Sequence, residues 1–360
     1  MQIEDIKKRY VDAGEGISGV LDDLARHPVH PSAGELRDRI AGGIAFITFA
    51  FDIDGVSMEV AKYGTCFEQM FPGTPIHCIA GTFADKADIV LDPNWHRCLL
   101  NGADGWDKWD GGKWFAKLFY EDLPQDSPTS RGLAREMWRQ ALVLDEQLAT
   151  YIEDHNIGLL IPVNTNSNPG NVAFALAIVL AAETTGCAVI NNNHDFYWEG
   201  GKEGCKRGLG EEPGPRDHFF RNHDNEQFFS VFQRIYPWNG RQWVQANINP
   251  LQSRRLIDRL HYAPDKVFTI GTGLDPGFFT ECSAEKKAAN RELMAYVLGG
   301  TPTIEPKPVA KFRAGLDAWI ASQHPVVCGA RSGRILDIRD PNALYLLQPN
   351  RIVARKRIWL

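Results

Sequence analysis

Residues 44–51, Ile44-Ala45-Phe46-Ile47-Thr48-Phe49-Ala50-Phe51, form an unbroken apolar run that stops at Asp52-Ile53-Asp54-Gly55-Val56-Ser57. A partly β-branched run of this length, with no polar alternation, predicts a strand buried on both faces of a parallel sheet. A loop over 52–55, a helix over about 57–70 and a second strand over 76–80 complete one βαβ unit.

The same alternation continues outward. A long amphipathic helix over about 131–155 leads to a strand at 158–163, a polar turn Asn164-Thr165-Asn166-Ser167-Asn168-Pro169-Gly170-Asn171 and an Ala-rich helix ending near Thr184. Strands are then expected at 188–192, 243–249 and 267–270, with a helix at 251–260 between the last two. Repeated βα units with crossover helices predict an α/β fold, a Rossmann-like doubly wound parallel sheet with ligands at the strand C-termini. The stretch 85–130, rich in Trp, Asp and Gly (Trp95, Trp106, Trp109, Trp114), has no regular pattern and is expected to be a substrate-side insertion. Residues 200–216 are charged and glycine-rich, which predicts a mobile loop.

Domain organisation follows from these patterns. Residues 1–40 read as a helical extension broken at His27-Pro28-Val29-His30-Pro31, residues 41–276 as the Rossmann-like domain and 277–340 as a linker with helical segments. Residues 341–360 open a second domain with the strand Ala343-Leu344-Tyr345-Leu346-Leu347 and then Gln348-Pro349-Asn350-Arg351-Ile352-Val353-Ala354-Arg355-Lys356-Arg357. Arg351 and Lys356 flank that strand-to-helix turn, where a guanidinium fork and an ammonium can converge on a diphosphate.

Composition narrows the function classes. The chain has 360 residues, 44% of them hydrophobic, enough for a substantial core, and a net charge of −6 gives no broad basic surface for nucleic acid. Its seven cysteines are scattered, odd in number and never spaced Cys-x-x-Cys, which argues against a disulfide framework or a zinc knuckle. A polar, acidic N-terminus and the lack of any apolar run of about 18 residues predict a cytoplasmic protein with no membrane span. Nothing in the sequence sets an oligomeric state.

Two local patterns invite metal-dependent readings. Asp52-Ile53-Asp54 after an apolar strand mimics the nucleophile loop of haloacid-dehalogenase-type phosphatases, in which one Asp attacks phosphorus and the next acts as general acid beside magnesium. That chemistry also needs a downstream Lys and an acidic pair, for which Asp337-Ile338-Arg339-Asp340 is a poor match. The same residues resemble the metal-binding Asp-x-Asp of GT-A glycosyltransferases, which follows the nucleotide-binding strands instead of lying on the first one. As a purely structural alternative, Asp54 or Ser57 caps the following helix.

A longer pattern points elsewhere. Asp54-Gly55-Val56-Ser57-Met58-Glu59-Val60-Ala61-Lys62 resembles the first β-to-α loop of retaining glycosyltransferases of family 4, which have the two-domain GT-B fold. His194-Asp195-Phe196-Tyr197-Trp198-Glu199 is similar to that family's His-Asp-Phe-x-Trp-Glu stretch, and Gln348-Pro349-Asn350-Arg351-Ile352-Val353-Ala354-Arg355-Lys356 to the opening of its nucleotide-sugar-binding half. Arg357 stands where the family has Gly. The resemblance implies that this chain is the acceptor-side half of such an enzyme, with its second Rossmann domain truncated. It also implies that His194 and Asp195 are catalytic, with His194 touching the donor sugar. Asp54, Gly55, Val56, Ser57 and Glu59 would form a donor and acceptor loop. Asn171, Trp198 and Glu199 would lie on an acceptor rim, the aromatics stacking on sugar faces. Arg351 and Lys356 would hold the diphosphate, with no metal and no cofactor beyond the nucleotide-sugar substrate. The partners implied are a nucleotide sugar and a hydroxyl acceptor, with little turnover expected from a chain ending at Leu360. Sugar or acceptor binding without turnover is the alternative.

Overall fold

The computed structural model describes residues 17–26, 32–199, 229–273 and 282–297. The turn carrying Arg351 and Lys356, the 200–216 loop and most of 277–340 lie outside the described residues. The chain divides into two units, Met1–Thr272 and Gly273–Leu360. In the second, the helix Ala284–Val297 is described.

Helix α1 (Ile17–Arg26) buries Ile17, Val20, Leu21 and Leu24, the i, i+3, i+4, i+7 stripe of an amphipathic helix. Helix α2 (Ala33–Gly42) starts at a full capping box between Ser32 and Glu35. The fold-deciding strand β1 (Ile44–Ile47) follows, all four residues buried. The sheet is completed by β3 (Ile76–Ala80), β5 (His96–Leu99), β6 (Leu159–Pro162), β7 (Ala188–Asn193), β8 (Trp243–Asn247) and β9 (Val267–Thr269). These seven strands run in the order β5-β3-β1-β6-β7-β8-β9, every pairing parallel. From β1 the chain builds toward one edge through β3 and β5, then returns to β1's other side with β6 and builds toward the opposite edge. The topological switch point is therefore the crevice between β1 and β6, where open α/β sheets bind ligands.

Crossover helices cover both faces. Helix α3 (Gly55–Met70) lies with Phe46, Val60, Cys78 and Ile161 in one apolar cluster. The other face holds α5 (Pro128–Asp154), α6 (Val172–Thr185) and α7 (Phe229–Ile235), while α8 (Pro250–Leu260) packs Leu256 in a smaller cluster with Phe196, Tyr262 and Val267. Twelve consecutive residues of α6, Val172–Glu183, are buried, so this helix is apolar all round, as an interior helix must be. Gly186 ends it in the left-handed conformation, φ 73°.

Two expectations need correction. The apolar run 44–51 is not one strand: it breaks at Thr48–Phe49, and β2 (Ala50–Phe51) pairs with β4 (Thr82–Phe83) in a separate two-stranded ribbon. The break lets the Phe49 ring leave the sheet and pack on Trp106 and Phe174. The stretch 85–130 is also more regular than expected. It contains the edge strand β5, tight turns over Trp106–Gly112 interrupted by a kink at Trp109, Asp110 and Gly111, and the helix α4 (Lys113–Tyr120), with Trp95, Trp109 and Trp114 all buried.

Candidate functional site

The loop after β1 enters α3 through Asp54, whose carboxylate oxygen accepts the Ser57 backbone N–H at 2.8 Å as an N-cap. Ser57 is fully buried, and its hydroxyl accepts the Asp52 backbone N–H at 3.1 Å. Both residues therefore hold the loop as well as line it. Gly55 is exposed, and a Cβ built on it would meet nothing within 4 Å, so its lack of a side chain leaves open space. Val56 is half-buried against the α3-side cluster.

One turn further, Glu59 is 4% exposed and ion-paired to Lys62 at 2.8 Å. A carboxylate so buried requires its partner. These two groups, with Asp54 and Asp195, act electrostatically on the half-buried imidazole of His194, which follows β7. Burial pushes the His194 pKa below its ordinary value; Glu59, Asp195 and Asp54 pull it back up, and Lys62 adds to the lowering. The ring is therefore neutral near pH 7. Its Nε2 is buried without a hydrogen-bond partner among the described residues. Such an imidazole can exchange a hydrogen bond with a ligand hydroxyl.

The sequence reading passed over two neighbours. Tyr63, one helical turn beyond Glu59, faces the side chain of Asn192, a buried β7 residue whose Oδ1 has no hydrogen-bond partner among the described residues. Spacing at i, i+3 and i+4 puts Glu59, Lys62 and Tyr63 on one face of α3, a signal that was present in the sequence.

The loops after β6 and β7 are tied together. Asn164, with φ 64°, accepts the Asp195 backbone N–H at 3.0 Å and the Ser167 hydroxyl at 3.1 Å. Tyr197 N–H donates to the Ser167 carbonyl at 3.0 Å. Asp195 itself is exposed. Glu199 accepts from the Phe196 backbone N–H at 2.8 Å and from the Gln252 side chain at 3.0 Å, while Gln252 also donates to the His194 carbonyl at 2.9 Å. The carboxylate of Glu199 thus clasps the turn that carries His194.

The acceptor-rim expectations fare differently from the His194 group. Trp198 stacks on Phe196 at 4.2 Å, and the Arg255 guanidinium lies over its ring at 4.8 Å. Asn171 is fully buried. Its Oδ1 caps α6 by accepting Phe174 N–H at 2.9 Å, and its Nδ2 donates to the Gly102 and Asp104 carbonyls at 2.8 and 2.7 Å. Among the described residues, no group of three or more His, Cys, Asp or Glu side chains is arranged to hold a metal ion, and no helix is long and apolar enough to cross a membrane.

No protein-family model and no curated protein matches the chain. Among solved structures, it is similar to one titled "Crystal Structure of Glycosyltransferase from Rickettsia africae ESF-5", with 13% identity and a TM-score of 0.37, over 70% of this chain and 49% of that one, so the chain spans about half the neighbour's length.

Proposed function

We propose that the unit Met1–Thr272 is the acceptor-side half of a sugar transferase of GT-B type, resembling the retaining enzymes of family 4. The observation that carries this reading is the convergence of the loops after β1 and β7 at the strand C-termini, where Glu59, Asp54, Lys62 and Asp195 surround a neutral, half-buried His194. A neutral imidazole flanked by carboxylates suits hydrogen bonding to sugar hydroxyls. In the proposed reaction an acceptor hydroxyl oxygen bonds to the anomeric carbon of a nucleotide sugar while the bond to the diphosphate breaks on the same face, the hydroxyl proton passing to the leaving diphosphate. Arg351 and Lys356 are assigned to the leaving diphosphate and His194 to the donor sugar.

The phosphatase reading needs Asp52 and Asp54 free for phosphorus and magnesium. Asp54 instead uses a carboxylate oxygen as the α3 cap.

The deciding experiment is calorimetric titration of the purified chain with a panel of nucleotide sugars, with a transfer assay to simple glycosides. Binding that weakens in His194→Ala supports the reading, and binding without transfer identifies a non-catalytic sugar-binding chain. No donor binding, together with magnesium-dependent phosphate-ester hydrolysis lost in Asp52→Asn, would replace it with the phosphatase.

A further inference from the structure

Trp106 holds a backbone conformation, φ 61°, that bulky L-residues rarely adopt and that Gly or Asn would take with less strain. Strain of this kind persists only where surrounding structure imposes it, and it concentrates at ligand-binding positions. Here the restraints are explicit. The Trp106 N–H donates to the Gly170 carbonyl at 2.8 Å, and Asn171 fixes the preceding loop through the Asp104 carbonyl at 2.7 Å. The indole meets Phe49 edge-on at 6.1 Å and Phe115 at 5.6 Å. Two glycines make the approach possible: a Cβ on Gly105 would fall 2.7 Å from Phe49 Cγ, and one on Gly170 would fall 2.7 Å from Phe49 Cε2 and 3.0 Å from Trp106 Cε2.

These contacts set Trp106 against the loop after β6, at one wall of the β1–β6 crevice. Its exposure separates it from its neighbours. Trp95, Trp109 and Trp114 are 6%, 1% and 5% exposed and belong to the core, whereas Trp106 is only half-buried. Polar groups flank it: Asp104, two residues earlier, is half-buried and accepts a hydrogen bond from the Thr82 hydroxyl.

We infer that Trp106 is the aromatic platform of this crevice, a binding residue on which the C–H face of a pyranose ring stacks. The inference rests on the sugar-transferase reading and adds a residue outside the loops that suggested it. Indole faces suit this task because a sugar ring offers aligned, weakly polarised C–H bonds to the negative π face. Trp198, by contrast, stacks on Phe196 with the Arg255 guanidinium over its ring.

The test uses the full chain labelled with 5-fluorotryptophan, the Trp106 fluorine signal being assigned from Trp106→Phe. Methyl glycosides of glucose, galactose, mannose and N-acetylglucosamine are titrated, with glycerol as a hydroxyl-bearing control that has no ring. A saturable shift of the Trp106 signal with at least one pyranoside and none with glycerol is expected. Affinity should fall about tenfold in Trp106→Asn, which suits the left-handed backbone, and be largely kept in Trp106→Phe. If pyranosides bind and depend on His194 while Trp106→Asn binds equally well, the platform is wrong and the sugar-transferase reading stands. Failure of every pyranoside to bind overturns the platform, while the nucleotide-sugar titration judges the broader reading separately.

Discussion

The side-chain oxygen of Asn164 accepts the backbone N–H of Asp195 at 3.0 Å, joining the turn after β6 to the turn after β7. That bond fixes where the His194 segment leaves the sheet. Asn164 also adopts φ 64°, a left-handed conformation that Asn tolerates better than most residues. Asn164→Gly keeps the backbone freedom and loses the bond, while Asn164→Ala loses both. Chemical denaturation should show a loss of about 1–2 kcal/mol for the glycine variant and more for alanine. Equal losses would mean that the backbone conformation contributes nothing.

Asn171 is expected to matter for stability before it matters for binding. Its three hydrogen bonds cap α6 and hold the carbonyls of Gly102 and Asp104, all from a fully buried position. Asn171→Ala removes the cap and leaves two carbonyls short of a donor, a combined cost of about 2–4 kcal/mol. Thermal unfolding of the variant checks this, and a change below about 0.5 kcal/mol would contradict the assigned role.

Much of this architecture was legible because the relevant signals are local. Four consecutive buried residues at Ile44–Ile47 mark an interior strand, and Ala-rich α6 with its Asn171 cap and Gly186 stop reads as a helix from end to end. The break after Ile47 was not legible, because its cause is non-local: Gly105 and Gly170 open the space that Phe49 fills. Strand β5 was missed for another reason. His96-Arg97-Cys98-Leu99 pairs on one side only, with β3, and as an edge strand carries no apolar run. At the candidate site, the position of His194 after a strand was legible, and so was the shared helix face of Glu59, Lys62 and Tyr63, but that this face meets Asn192 was not. The burial of Asn171 depends on carbonyls from a segment whose sequence has no periodicity.

Acid should destabilise the fold through His77, far from the candidate site at the N-terminal half of β3. His77 is 1% exposed, stacks on His96 at 4.7 Å, meets His155 edge-on at 5.2 Å and shares a hydrogen bond with the Tyr151 hydroxyl at 2.9 Å. Burial, then the two neighbouring histidines, hold its pKa down to about 4 against an ordinary 6.5. The folded value lies below the unfolded one, so this histidine favours the fold least when protonated. Its penalty begins as pH falls through 6.5 and is complete below about 4, amounting to roughly 3 kcal/mol. Urea titrations between these limits should show a shallower loss of stability in His77→Phe than in the parent chain. Parallel curves would remove His77 from the account.

Glu59 should control the protonation of His194. Its buried carboxylate is the largest of the influences that raise the imidazole pKa against the lowering caused by burial, while Lys62 works in the opposite sense. Glu59→Gln removes the negative charge and keeps most of the volume. The loss of that charge disfavours the imidazolium, so the His194 titration should move to lower pH; Lys62→Met should move it up. Proton–carbon NMR of the His194 ring across a pH series measures both directly. The two substitutions act through charge with opposite signs, so a structural disturbance common to both cannot mimic the result. Shifts in the same direction, or none, would show that the Glu59–Lys62 pair does not set the state of His194, and the site would lose the electrostatic feature on which the sugar-binding reading depends.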